Sequence, residues 1–92
     1  MRADIAYTSA IRALTAAPMP AGKYRDARLA LSILREHCTQ DGLCEIGAPE
    51  LAEELKVDSA RISRILSALE EVGAIRRELT GRRKEIRLPV RA

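Results

Sequence analysis

The stretch Pro49–Gly73, PELAEELKVDSARISRILSALEEVG, leaves the chain few folds to choose from. Leu51 and Leu55 stand one helical turn apart, and Ala52 is small enough to let a second helix come close. Pro49 suits a first helical position, because the N–H it lacks would have no partner there. Lys56-Val57 leaves room only for a turn, after which Asp58 can cap the next helix by accepting from its freed N–H groups. At about 100° per residue, Ile62, Ile65, Leu66, Leu69 and Val72 of that helix fall on one stripe. Two helices joined so tightly read as a helix-turn-helix.

The other side of the second helix holds Ala60, Arg64 and Ser67, flanked by Arg61 and Ser63. A merely solvated face is usually richer in glutamate and lysine. Small residues with arginine suit a helix lying in a DNA major groove, where Arg makes two parallel bonds to guanine and Ser reaches a base or phosphate. The bland alternative is a surface helix that happens to be rich in Arg and Ser. Charge segregation favours the first reading. Residues 41–58 carry six acids against Lys56 alone, whereas residues 59–92 carry nine bases against four acids, a surplus of +5 within a chain of net charge +3. Such a distribution attracts a polyanion to one side.

Ninety-two residues make one small domain with little room for an enzyme cleft on its own scaffold. No run approaches the ~20 apolar residues of a membrane span, and the N-terminus lacks a compact apolar signal core, so a cytoplasmic protein without membrane contact is expected. Cys38 and Cys44 with the lone His37 do not supply the paired short spacings of a structural zinc site. Cys38 reads as a packed helix-end residue and Cys44 as part of a short strand; a disulfide or redox pair is the alternative. His37 reads as a helix-end or surface residue rather than a ligand or base. No nucleophile–base pair, Gly-rich phosphate loop or metal set is evident, so catalytic residues, cofactors and metals are all expected to be none.

In chain order, residues 3–17 place Ile5, Tyr7, Ile11 and Leu14 at spacings that suit a helix with one apolar side, ended by Pro18–Gly22. That side needs a partner, either its own domain or a second copy of the chain. Residues 1–22 are assigned as an N-terminal helix and linker serving as a dimerisation arm, and residues 23–92 as the main domain. Lys23–Cys38 is a long helix with a broad apolar stripe through Tyr24, Ala27, Leu31, Leu34 and Cys38, widened by Ala30 and Ile33. Thr39–Gly42 is a loop and Leu43–Ile46 a short strand in need of a partner. Gly73 sits where a left-handed residue would stop the second motif helix. Ala74–Thr80 then alternates, with Ile75 and Leu79 inward. Lys84–Leu88 alternates again, with Ile86 and Leu88 inward. Joined across Gly81, the two runs make a hairpin whose tip, Thr80–Lys84, gathers positive charge suited to a phosphate backbone or minor groove. Pro89 ends the second strand and the last residues are expected to fray.

Residues 50–88, ELAEELKVDSARISRILSALEEVGAIRRELTGRRKEIRL, resemble the DNA-binding core of bacterial winged helix-turn-helix regulators, especially the MarR and ArsR types. The likeness rests on the L-A-x-x-L first helix, the S-R-x-L-x-x-L-E-x-x-G-x-I tail of the second, and a basic wing before a short apolar strand. It implies a mainly α fold with a small β-hairpin (α+β), here with an additional N-terminal helix. By position it assigns base reading to Ser59, Ala60, Arg61, Ser63 and Arg64, with Ser67 on the same face, and wing contacts to Arg82, Arg83 and Lys84. MarR-type dimers close with helices on both sides of the core, whereas this sequence stops after the wing, so a dimer is expected to use the N-terminal helix, the Lys23–Cys38 helix, or both. The Cys-containing metal box of ArsR-type sensors is missing from Pro49–Leu55, and no signature of an effector pocket is present. The expectation is a repressor binding double-stranded DNA at a short inverted repeat as a homodimer. The alternative is a winged-helix protein-interaction module or a DNA-binding component of plasmid or phage replication or partition machinery.

Overall fold

The computed structural model describes residues 2–81 and 83–89, with side chains for 6–79, 81 and 84–89. The order of elements is α1 (Arg2–Ala16), α2 (Ala21–Glu36), β1 (Leu43–Cys44), α3 (Ala48–Leu55), α4 (Ser59–Glu71), β2 (Arg76–Thr80) and β3 (Arg83–Arg87). Four helices and a three-stranded antiparallel sheet of order β1-β3-β2 make the fold mainly helical and α+β.

α1 buries Ala6, Ala10 and Leu14, a row spaced by four. Of the expected stripe, Leu14 belongs to this row, Tyr7 and Ile11 flank it partly buried against the core, and the Ile5 side chain lies outside the described atoms. The row packs on α2, which buries Ala27 and Ala30 beside Leu31 and Leu34. Side chains this small let two helix axes approach closely. Arg35 of α2 lies over the Tyr7 ring at 4.9 Å, and the Thr15 hydroxyl lies 3.3 Å from the Tyr24 hydroxyl. The buried row of α1 thus packs on the chain's own α2. α2 also starts earlier than expected, at Ala21: the fixed backbone of Pro20 (φ −57°) suits helix entry, and the Pro20 carbonyl accepts from Tyr24 N–H at 2.9 Å.

Both motif helices end on left-handed residues. At the end of α4, Gly73 (φ 81°) donates to the Glu70 carbonyl and Ala74 to the Leu69 carbonyl, the paired bonds that satisfy a helix's last acceptors. Lys56 (φ 58°) does the same for α3, donating to Glu53 while Val57 donates to Ala52. The turn between α3 and α4 is therefore as tight as its sequence requires. Leu14, Leu31, Leu34, Leu51, Leu66, Leu69 and Ile75, drawn from all four helices and the approach to β2, are fully buried in one cluster.

β2 and β3 pair from Arg76↔Arg87 to Thr80↔Arg83, and Gly81 (φ 64°) opens the turn. The short strand finds its partner in β3, through Leu43↔Arg87 and Cys44↔Ile86. Cys38 is not the last residue of α2, which ends at Glu36; it forms a β-bridge back to Cys44. Ile75, Ile86 and Leu88 face inward as expected, but Leu79 is 71% exposed. It lies on the same face of the ribbon, one pair from the turn, past the helices that cover the base of the hairpin. Val90–Ala92, where fraying was expected, lie outside the described residues.

Candidate nucleic-acid interface

Asp58 fixes the start of α4. Its extended backbone (φ −80°, ψ 171°) turns the carboxylate onto the helix end, where Oδ1 accepts from Arg61 N–H at 2.7 Å. Ser59, Ala60 and Arg61 then occupy the first turn, and Ser63, Arg64 and Ser67 continue the same side; all six are exposed. The opposite side, Ile62, Ile65, Leu66 and Leu69, is buried.

Arg64 has no hydrogen bond or ion pair to any described residue. Arg61 differs. Its Nη2 donates to Asp26 Oδ2 of α2 at 2.5 Å, and this bond and the Asp26 charge push its pKa above the usual arginine value. Arg61 therefore links the start of α4 to α2 while its side chain stays 55% exposed. Ser67 is engaged as well, accepting from Arg77 Nη2 at 3.2 Å.

Arg77 docks the hairpin on α4. Its Nε and Nη2 donate to Glu70 Oε1 at 3.0 and 2.8 Å, and its backbone N–H reaches Glu70 Oε2 at 3.4 Å. The Arg77 side-chain bonds hold the Glu70 carboxyl below the usual carboxylate range. On the opposite face of the ribbon, Glu78 accepts from Arg76 at 2.5 Å and lies 3.7 Å from Arg87 Nε, and Arg87 Nη2 lies 3.6 Å from Glu85. Arg76, Arg77 and Arg87 thus each face an acid. Among the described residues, Arg64 and Lys84 are the bases of this half without such a partner.

Arg82 lies outside the described residues, as does the side chain of Arg83. The exposed Lys84 is paired with Leu79 and, two residues from the buried Ile86, lies on the same side of the hairpin as that residue, nearer the helices; its charge helps lower the Glu70 pKa.

Two contacts at the candidate interface escaped sequence reasoning. Arg77 carried a signal: it shares the inward alternation of Ile75 and Leu79, and an arginine there needs an acid. Asp26 carried none, since 35 residues separate it from Arg61. His37 closes α2 as expected, with Nε2 3.6 Å from Glu54. Among the described residues, no group of three His, Cys, Asp or Glu side chains could hold a metal ion, and no helix is long and apolar enough to cross a membrane. No protein-family model, curated protein or solved structure matches the chain.

Proposed function

We propose that the protein is a sequence-specific double-stranded DNA-binding regulator of the winged helix-turn-helix kind, with α4 in the major groove and the β2–β3 hairpin on the flanking backbone or minor groove. One observation carries the reading: the exposed side of α4 presents Ser59, Ala60, Ser63 and an Arg64 that no described acid engages, beside a hairpin held to α4 by Arg77. A helix side that is small, uncrowded and positive can approach base edges closely. Arg64 reads a base in this assignment, Arg82 and Arg83 hold phosphates, and Arg61 exchanges Asp26 for a phosphate on binding. Regulation acts by occupancy, as a repressor, with two copies on an inverted repeat.

The test is a gel-shift titration across salt concentrations. Arg64→Ala is expected to cost about 1–3 kcal/mol and to relax sequence preference, whereas Arg82→Ala weakens all sequences alike and lowers the salt slope by about one. Equal behaviour of the two variants refutes the assignment.

The exposed Leu79 favours a second reading, a protein-docking module that presents its hairpin. Retention on heparin at moderate salt, with unchanged elution of Leu79→Ser, decides for DNA; loss of a protein partner with Leu79→Ser and no duplex binding decides for docking.

A further inference from the structure

We infer that Cys38 and Cys44 form a reversible thiol–disulfide pair, closed by exchange with a small-molecule disulfide such as oxidised glutathione, that fastens the end of α2 to the edge strand β1.

The backbone brings the two residues together. Thr39 N–H donates to the Leu43 carbonyl and Glu45 N–H to the His37 carbonyl, both at 2.8 Å, on either side of the Cys38↔Cys44 bridge. This makes Cys38 and Cys44 a non-hydrogen-bonded pair of an antiparallel ladder. In such a pair the Cα atoms stand about 4.5 Å apart and facing side chains are closest. A disulfide spans Cα separations of about 4.4–6.8 Å, so the site sits at the short end of that range. The connecting turn is already closed: Gly42 takes the left-handed conformation (φ 86°), its N–H donates to the Thr39 carbonyl at 3.0 Å, and Leu43 N–H donates to Thr39 Oγ1 at 3.3 Å. Bond formation therefore requires no rearrangement of the chain. The partly exposed Cys38 sulfur leaves the bond within reach of small thiols, which suits a bond that opens and closes with its surroundings.

The two thiols are not equivalent. Cys44 is buried in the core cluster, with its S–H 3.9 Å from the Gly42 carbonyl, whereas Cys38 is partly exposed. Burial raises the Cys38 pKa, but a hydrogen bond from Cys44 offsets part of the rise; burial and the neighbouring Cys38 charge push Cys44 up to about 12. Cys38 is thus the thiol that ionises and meets oxidant. Its thiolate attacks one sulfur of the small disulfide, forming a mixed disulfide and releasing one thiolate. Cys44 then loses its proton to solvent and attacks the Cys38 sulfur, expelling the second. The protein gives up two electrons and two protons, and the small disulfide is reduced to two thiols.

The test is independent of any DNA activity. The reduced full chain is incubated with oxidised glutathione and weighed intact. The expected product is lighter by two hydrogens, has no alkylatable thiol, runs as a monomer without reductant, returns to starting mass with dithiothreitol, and melts about 5–10 °C higher than the reduced form. Cys44→Ala is expected to stop at one glutathione on Cys38, and Cys38→Ala to stay unmodified while folded. Two glutathiones on the wild-type chain, a covalent dimer, or thiols that remain alkylatable after treatment overturns the proposal, as does Cys44→Ala failing to keep its single adduct.

Discussion

Replacing Asp58 by alanine tests how α4 begins. Asp58 Oδ1 accepts from Arg61 N–H at 2.7 Å, a short charge-assisted bond, and the carboxylate lies at the positive end of the helix dipole. Its backbone is extended (φ −80°, ψ 171°), which alanine adopts without strain, so the substitution removes the cap and little else. Losing a cap costs about 1 kcal/mol, and losing the charge beside the helix end a further ~0.3–1 kcal/mol. A domain of this size loses roughly 4–8 °C of melting temperature per kcal/mol, so Asp58→Ala is expected to melt roughly 5–15 °C lower. Asp58→Asn keeps an oxygen acceptor and loses only the charge, so it falls between the two. Ser59 offers an escape, because the helix can unwind by one residue and cap on the serine hydroxyl. A double substitution with Ser59→Ala closes that route and restores the full loss. Denaturant melts followed by circular dichroism give the order wild type, Asn, Ala, double. If Asp58→Ala and Asp58→Asn both match wild type, the cap does not form in solution and the placement of Ser59, Ala60 and Arg61 in a fixed first turn is lost with it. DNA affinity separates stability from function: Asp58→Asn removes an acid beside the proposed phosphate path and binds tighter at low salt, while Asp58→Ala frays that turn and binds more weakly at equal folded fraction.

Ala10→Leu is expected to cost about 1–3 kcal/mol in urea denaturation despite leucine's good helix propensity, because Ala10 is fully buried against α2; an unchanged midpoint means α1 does not pack there. Arg77 holds Glu70, and Arg76 holds Glu78, with carboxyl pKa values below 4.5. Their stabilisation is present above that value and is lost as pH falls through it toward the lower folded values, so Arg77→Met should flatten the acid limb of the stability profile. The Cys44 thiol is shifted the other way, from 9.0 up to about 12. Its contribution is complete below pH 9 and declines above it, reaching a loss of about 2 kcal/mol by pH 10.5 in the reduced protein. Cys44→Val should lack that alkaline decline, and parallel curves for the two proteins would show that the thiol ionises freely.

Local signals made most of the fold legible. The apolar stripe of α4, the Asp58 cap and Gly73 each depend on residues within one or two turns of helix, and each lies where the sequence puts it. The hairpin was legible for a similar reason, since alternation and Gly81 act over a few residues. Reading weakened wherever the deciding partner was distant. Leu14 of the expected α1 stripe is fully buried, but Tyr7 and Ile11 are only partly so while Ala6 and Ala10 complete the buried row, because α2 also presents alanines and close approach favours small against small. Leu79 satisfies the strand alternation but lies beyond the helices that cover Ile75, and alternation carries no information on where that cover ends. At the candidate interface the sequence identifies which side of α4 is polar. It cannot separate an arginine held by a distant acid from one left open. Arg61 and Arg64 look equivalent in the string SARISR, yet Asp26 reaches only the first. That difference bears directly on the proposed chemistry: Arg61 must exchange an existing ion pair for a phosphate, a nearly even trade between exposed partners, whereas Arg64 brings an uncompensated charge to the groove. Removing Asp26 should therefore raise affinity through Arg61 at low salt and leave sequence preference, which rests on Arg64, unchanged.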